Sequence, residues 1–132
     1  MTPNVYPIGR WGTERGSVSI VVAGVATVAL VASLGVADVG KALVARARAR
    51  AAADAAALAA AQELALPGAR TPTELAADYA NSNGAALVSC SCANGTLEAS
   101  VEVEVPVGAM FLASDGLSVR SRARAIIDAT GG

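Results

Sequence analysis

Cys90 and Cys92 are the side chains in this sequence best suited to covalent or metal chemistry. The sequence contains no histidine, which excludes Ser-His and Cys-His nucleophile pairs and most zinc sites. Two thiolates without further nitrogen or sulfur ligands do not complete a metal site. The carboxylates are scattered, and none of them form a clustered acid–base pair. The sequence therefore predicts no enzyme, no cofactor, no metal site and no small-molecule substrate.

The spacing of the two cysteines leaves two interpretations open. On a regular strand, residues two apart share a face, with their Cα atoms about 6.6 Å apart. That distance is at the upper limit for a disulfide, so it favours two small buried thiols beneath a helix. A disulfide between Cys90 and Cys92, or between two chains, is the alternative. The pair does not decide the redox compartment.

Alternating apolar and polar residues in the second half of the chain predict strands that would carry these cysteines. Asn94-Gly95 favours a tight hairpin turn, which would place Cys90 opposite Ala99. Residues 117–127 predict a third strand.

The glutamates of the second predicted strand and the arginines of the third can form ion pairs across the sheet. If these strands pair antiparallel, Glu102 lies opposite Arg122 and Glu104 lies opposite Arg120. Opposite charges facing each other across a sheet stabilise the pairing, so this charge ladder predicts a structural role. The net charge of -1 removes the electrostatic case for nucleic-acid binding.

An uncharged run of 22 residues lies between Arg15 and Asp38. As a helix it would be about 33 Å long, close to the thickness of the hydrocarbon core of a bilayer. A chain of 132 residues, of which only 3% are aromatic, cannot surround a helix that is apolar on every side. We therefore predict a transmembrane helix over residues 16–38.

A cleaved secretory signal is the alternative for the same run. Its cleavage sequence would be Gly35-Val36-Ala37 before Asp38, although a signal normally has a shorter apolar core of about 7–15 residues. The protein would then be a signal-anchored or secreted envelope binding protein.

The other segments predict an α+β fold with a long first helix, a short second helix and a three-stranded antiparallel sheet. Residues 1–15 contain proline and glycine without periodicity and predict a flexible tail. Residues 39–66 are rich in alanine and should continue the spanning helix. Thr71-Pro72-Thr73-Glu74 is a strong helix start. It opens a small head over residues 71–128, in which the helix precedes the sheet.

This order of elements resembles the pilin-like plan of TadE/TadG-type proteins of tight-adherence (Flp) pilus assembly, specifically the small actinobacterial TadE-like proteins. The resemblance covers about residues 14–128. It is carried by Glu14-Arg15-Gly16-Ser17 before the apolar helix, ARARAAADAAALAAA at 47–61, Asn83-Gly84-Ala85 leading to Cys90, the valine-rich strand at 101–107 and RARA at 122–125.

The resemblance implies a non-catalytic, single-pass protein of the cell membrane, either a minor pseudopilin or an accessory of a pilus assembly or secretion system. Its expected partners are membrane lipid and other pilus-assembly or pseudopilin subunits. The resemblance also implies cleavage by a prepilin-type peptidase between Gly16 and Ser17. The family pattern expects a glutamate five residues into the mature helix, where this sequence has Val21. A membrane-retained accessory therefore fits better than a polymerising subunit.

Two expectations about membrane orientation conflict. Arg10 and Arg15 precede the span, whereas a larger set of basic residues follows it: Lys41, Arg46, Arg48 and Arg50. The positive-inside rule would keep the head in the cytoplasm. The family resemblance implies an extracytoplasmic head, and we adopt that orientation because the resemblance spans most of the chain.

Overall fold

The computed structural model describes residues 1–5 and 15–128. Residues 6–14, which make up most of the predicted flexible tail, lie outside the described residues. The described elements are α1 (Arg15–Ala65), α2 (Pro72–Ser82), β1 (Ala86–Ser91), β2 (Glu98–Pro106) and β3 (Ser118–Ile126). A long helix, a short helix and a three-stranded antiparallel sheet confirm the predicted α+β class with its pilin-like order.

Helix α1 is one uninterrupted helix of 51 residues, about 76 Å long. Its valine-rich first half and alanine-rich second half contain no proline, so no residue removes a backbone donor from the helix. The helix ends just before Pro67, which cannot continue it. The amide of Gly68 then folds back to donate a hydrogen bond to the Glu63 carboxylate.

Helix α2 begins with a reciprocal capping arrangement. The Thr71 hydroxyl accepts a hydrogen bond from the Glu74 amide at 3.2 Å, and the Thr71 amide donates to the Glu74 carboxylate at 2.8 Å. These bonds satisfy two amides that the start of the helix leaves without backbone partners. Hydrogen bonds from the amide and then from the side chain of Thr71 to the Glu74 carboxylate lower the pKa of this carboxyl.

The sheet has the order β1-β2-β3, so β2 lies in the centre. The predicted register of the first hairpin is wrong, because Cys90 lies opposite Val101 instead of Ala99. A longer connection between Ser91 and Glu98 replaces the two-residue turn. A shift of two residues keeps Cys90 on its own face, so the alternation around Cys90 does not distinguish the two registers. An irregularity between Leu87 and Ser89 turns Leu87 toward the core and leaves Val88 exposed.

The core is a close contact between small side chains of α1 and the inward face of the sheet. The alanines of α1 that pack there are buried, as are Val101, Val103 and Val105 of β2. Helix α2 adds Ala76 and Ala80 to the same cluster. Because alanine has only a methyl group, the helix backbone approaches the sheet closely, and the three valines supply the largest fully buried side chains.

A pair of matched substitutions on α1 tests this packing. Ala56 is fully buried, whereas Ala51 is exposed on another face of the same helix. We expect Ala56→Leu to lower the free energy of unfolding by about 1–3 kcal/mol, because the added carbons force the helix away from the sheet. Ala51→Leu should change it by less than about 0.5 kcal/mol. Denaturant unfolding of both variants in detergent measures the difference, and equal losses would contradict the close packing.

Candidate functional site

The apolar half of α1 extends beyond the head without cover from it. Nearly all side chains from Gly16 to Ala37 are exposed, including the valines and leucines that a water-soluble protein would bury. By length and composition, this is a helix that can cross a membrane. Because the rest of the described chain does not bury it, it is not the core helix of a soluble fold. The helix fits a single-pass membrane anchor.

Two hydroxyl groups within this segment, those of Thr27 and Ser33, have partners inside the helix. Thr27 Oγ1 donates to the Ala23 carbonyl at 2.8 Å, and Ser33 Oγ donates to the Ala29 carbonyl at 2.8 Å. A polar group in hydrocarbon is tolerated when it is hydrogen-bonded in this way. These two hydroxyl groups are therefore compatible with a membrane-spanning helix.

Asp38 joins the spanning segment to the head. Its side chain is only 6% exposed, although it is the first charged residue after the apolar run. The carboxylate accepts hydrogen bonds from the Phe111 amide at 2.8 and 3.1 Å and from the Leu112 amide at 2.8 Å. Both amides belong to the loop of residues 107–117 between β2 and β3, which we call the junction loop. Hydrogen bonds to a charged acceptor are stronger than neutral ones, so Asp38 holds this loop firmly against α1.

Lys41, one turn further along α1, binds the same loop from a second position. Its Nζ donates to the Ala109 carbonyl at 2.7 Å and lies 4.1 Å from the centroid of the Phe111 ring. Leu112 contacts α1 on the N-terminal side of Asp38. Its Cδ1 lies 3.7 Å from the place that a Cβ atom would occupy on Gly35. The junction loop thus contacts α1 over nearly two turns.

The sequence pattern does not predict this junction, because it indicates Asp38 and Lys41 only as charges that follow the span. The signal available in the sequence was the apolar trio Met110-Phe111-Leu112 inside a loop bounded by Gly108 and Gly116. A surface loop rarely needs three consecutive large apolar residues, so the trio indicates a contact.

The charge ladder lies on the face of the sheet that points away from α1. In the structure Glu102 is opposite Arg122, with an N–O distance of 2.7 Å, and Glu104 is opposite Arg120 at 3.3 Å. The hydrogen bond from Arg122 lowers the pKa of the Glu102 carboxyl. Arg124 and Glu98 form a further pair at 2.5 Å. These contacts give the carboxylates of β2 partners within the sheet.

Cys90 and Cys92 are half-buried and joined by a disulfide in the structure. Their Cα atoms are 5.4 Å apart, closer than regular strand geometry gives. The reason is that β1 ends at Ser91, so Cys92 already belongs to the turn. The redox state of the pair in the cell stays a prediction.

Gly16 and Ser17 lie in the first turn of α1, and both are exposed. No described atom outside the local helix approaches the position of a Cβ on Gly16 within 4 Å. Among the described residues nothing packs against this glycine, and cleavage of the bond stays a prediction.

Replacing one oxygen of Asp38 tests the junction. In Asp38→Asn, we expect the Phe111 and Leu112 amides to exchange hydrogen about ten- to hundredfold faster, because a charged acceptor becomes a neutral one. Hydrogen exchange of the full chain in detergent measures this. Asp115→Asn, in the exposed part of the same loop, is the control and should leave both amides unchanged. Unaltered exchange in Asp38→Asn would show that the carboxylate does not hold the loop.

Comparison with known families identifies the segment built around this anchor. Residues 16–63 match the Tad family model, described as "Putative Flp pilus-assembly TadE/G-like". The match covers the spanning segment and most of the alanine-rich part of α1, which together make up just over a third of the chain. No curated protein and no solved structure matches the chain significantly. Over residues 16–63 this chain is therefore similar to the TadE/G-like family, and this segment contains the apolar helix that fits a membrane anchor.

Proposed function

We propose that this chain is a non-catalytic accessory or minor pseudopilin of a tight-adherence (Flp-type) pilus assembly or secretion system, of the small actinobacterial TadE-like type. It acts by packing α1 laterally against other subunits and by displaying the small head. The observation that carries the proposal is the coincidence of the Tad match with a helix whose apolar surface has no cover. The match ends at Glu63, near the end of α1.

An exposed stripe on α1 supports lateral packing. Residues Val36, Leu43, Ala47, Ala51 and Leu58 follow helical spacings of seven and four, so they share one face, and all are exposed. This stripe begins in the spanning segment and continues beside the head. Its small residues allow another helix to approach closely, inside the membrane and beyond it.

The stripe yields a test of the proposed packing. In a strain whose own copy is deleted, we expect the wild-type chain to restore pili and to copurify with membrane assembly subunits. Ala47→Glu should insert into the membrane and fold normally but lose both activities, because a carboxylate in a helix contact loses its water. Pilus counts by electron microscopy and copurification from solubilised membranes measure the outcome.

Ala69→Glu is the matched control, because it adds the same carboxylate at an exposed position after α1. It should behave as wild type. If Ala47→Glu also behaved as wild type, this stripe would not be the packing surface. Normal pili in the deletion strain, with no copurifying assembly subunit, would overturn the proposed function itself.

We place the head outside the cytoplasm. The family resemblance implies this orientation, and a disulfide between Cys90 and Cys92 would persist in such an oxidising compartment. Ser82, exposed at the end of α2, offers a position for labelling. With both native cysteines changed to serine, Ser82→Cys should react with a membrane-impermeant maleimide on intact cells. Labelling only after lysis would place the head in the cytoplasm, as the positive-inside rule expects.

Processing would separate this role from that of a secreted binding protein. A mature chain that starts at Ser17 supports the pilus-related role with peptidase cleavage. A chain that starts at Asp38 would have lost its anchor and would support the secreted envelope protein. Val21 occupies the place of the glutamate that neutralises a neighbouring terminus in a filament, so we favour a membrane-retained accessory. N-terminal sequencing of the protein from cells distinguishes the two products.

A further inference from the structure

We propose that the junction loop is a second membrane contact, which inserts Phe111 and Leu112 at the boundary between lipid headgroups and acyl chains. The head would then lie on the membrane surface in a fixed orientation instead of swinging on its helix. This inference rests on the single-pass anchor in the proposed function. It adds a lipid-binding surface formed by residues far from the spanning helix in sequence.

The position of the loop along α1 sets its depth. Leu112 reaches the helix at Gly35, within the last turn of the uncharged run, and the amides of the loop bind Asp38 immediately after it. The uncharged run is about 33 Å long, and the hydrocarbon core is about 30 Å thick. When the run spans this core, the contact at Gly35 therefore lies at the acyl–headgroup boundary.

The side chains of the loop suit that depth. Phe111 is 60% exposed and Leu112 is 56% exposed, although their backbone is fixed against α1. Leu112 lies against Gly35 of the spanning segment, and Val31 and Val36, close to Gly35 in sequence, are also exposed. Lys41 lies over the Phe111 ring, where a lysine stem can cover apolar surface while its ammonium reaches the headgroups.

Backbone polar groups of the junction loop have the hydrogen-bond partners that a position near lipid requires. Backbone groups need hydrogen-bond partners where water is scarce. The amides of Phe111 and Leu112 bind the Asp38 carboxylate, and the carbonyl of Ala109 binds Lys41. The apolar side chains can thus enter the boundary without leaving these groups unsatisfied.

Tryptophan fluorescence of the full chain in vesicles tests the lipid contact. The background variant is Trp11→Phe, and one tryptophan is then added by Phe111→Trp or by Leu112→Trp. The vesicles contain phosphatidylcholine and phosphatidylglycerol, with or without bromine on the acyl chains. Tyr79→Trp is the control, because Tyr79 is an exposed aromatic residue on α2, away from the junction.

We expect both loop tryptophans to emit at shorter wavelength than Tyr79→Trp and to lose fluorescence in brominated vesicles. Acrylamide, a water-soluble quencher, should quench the tryptophan of Tyr79→Trp more strongly than either loop tryptophan. Brominated lipid that quenches neither loop variant overturns the proposal. Shielding from acrylamide without quenching by lipid also overturns it and assigns the loop to a second copy or another protein.

Two further measurements separate the possible failures. Flotation with the vesicles reports the anchor, so a chain that does not float contradicts the proposed function and not the loop alone. Circular dichroism shows whether each variant folds. If Phe111→Trp unfolds the head by disturbing the contact between Phe111 and Lys41, Leu112→Trp still tests the proposal. Leu112 contacts α1 at Gly35 instead.

Discussion

The structure depends on the contact between the alanine face of α1 and the valines of β2. Ala49, Ala52 and Ala56 are fully buried against a sheet whose central strand inserts Val101, Val103 and Val105. Such small side chains bury little area each, so stability requires many of them in close register. A continuous helix supplies that register. The same helix leaves its first half uncovered by the rest of the described chain, and this half fits a membrane anchor.

Asp38 marks the change from one environment to the other. On its N-terminal side α1 has no charge back to Arg15, and on its C-terminal side the helix supports the head. A carboxylate near lipid is costly unless hydrogen bonds and neighbouring charge compensate it. Backbone amides of the junction loop provide these bonds, and Lys41 lies one turn away. Asp38, Lys41 and the junction loop therefore fix the head relative to the spanning segment. The proposed packing and lipid contacts both depend on this fixed geometry.

Helices and strands were predictable because their signals are local. Pro67 ends α1, the capping sequence at Thr71 starts α2, and alternation defines β2 and β3. The register of the hairpin between β1 and β2 is harder to predict, because a shift of two residues keeps Cys90 on the same face. The structure accommodates the true register with an irregularity between Leu87 and Ser89 and a longer turn. Cys92 then falls outside the strand, which is why the two sulfur atoms meet.

Sequence composition alone gave the lipid-compatible helix, because length and the absence of charge need no knowledge of distant residues. The order of elements along the chain carries the family resemblance, which the match over residues 16–63 supports. Folding in three dimensions was needed to bring Phe111 to Asp38, since 73 positions separate them. It was also needed to choose which alanines of α1 face the sheet, because the alanine-rich sequence is small and apolar on several faces. Contacts of that kind follow from how elements pack, and no local pattern encodes them.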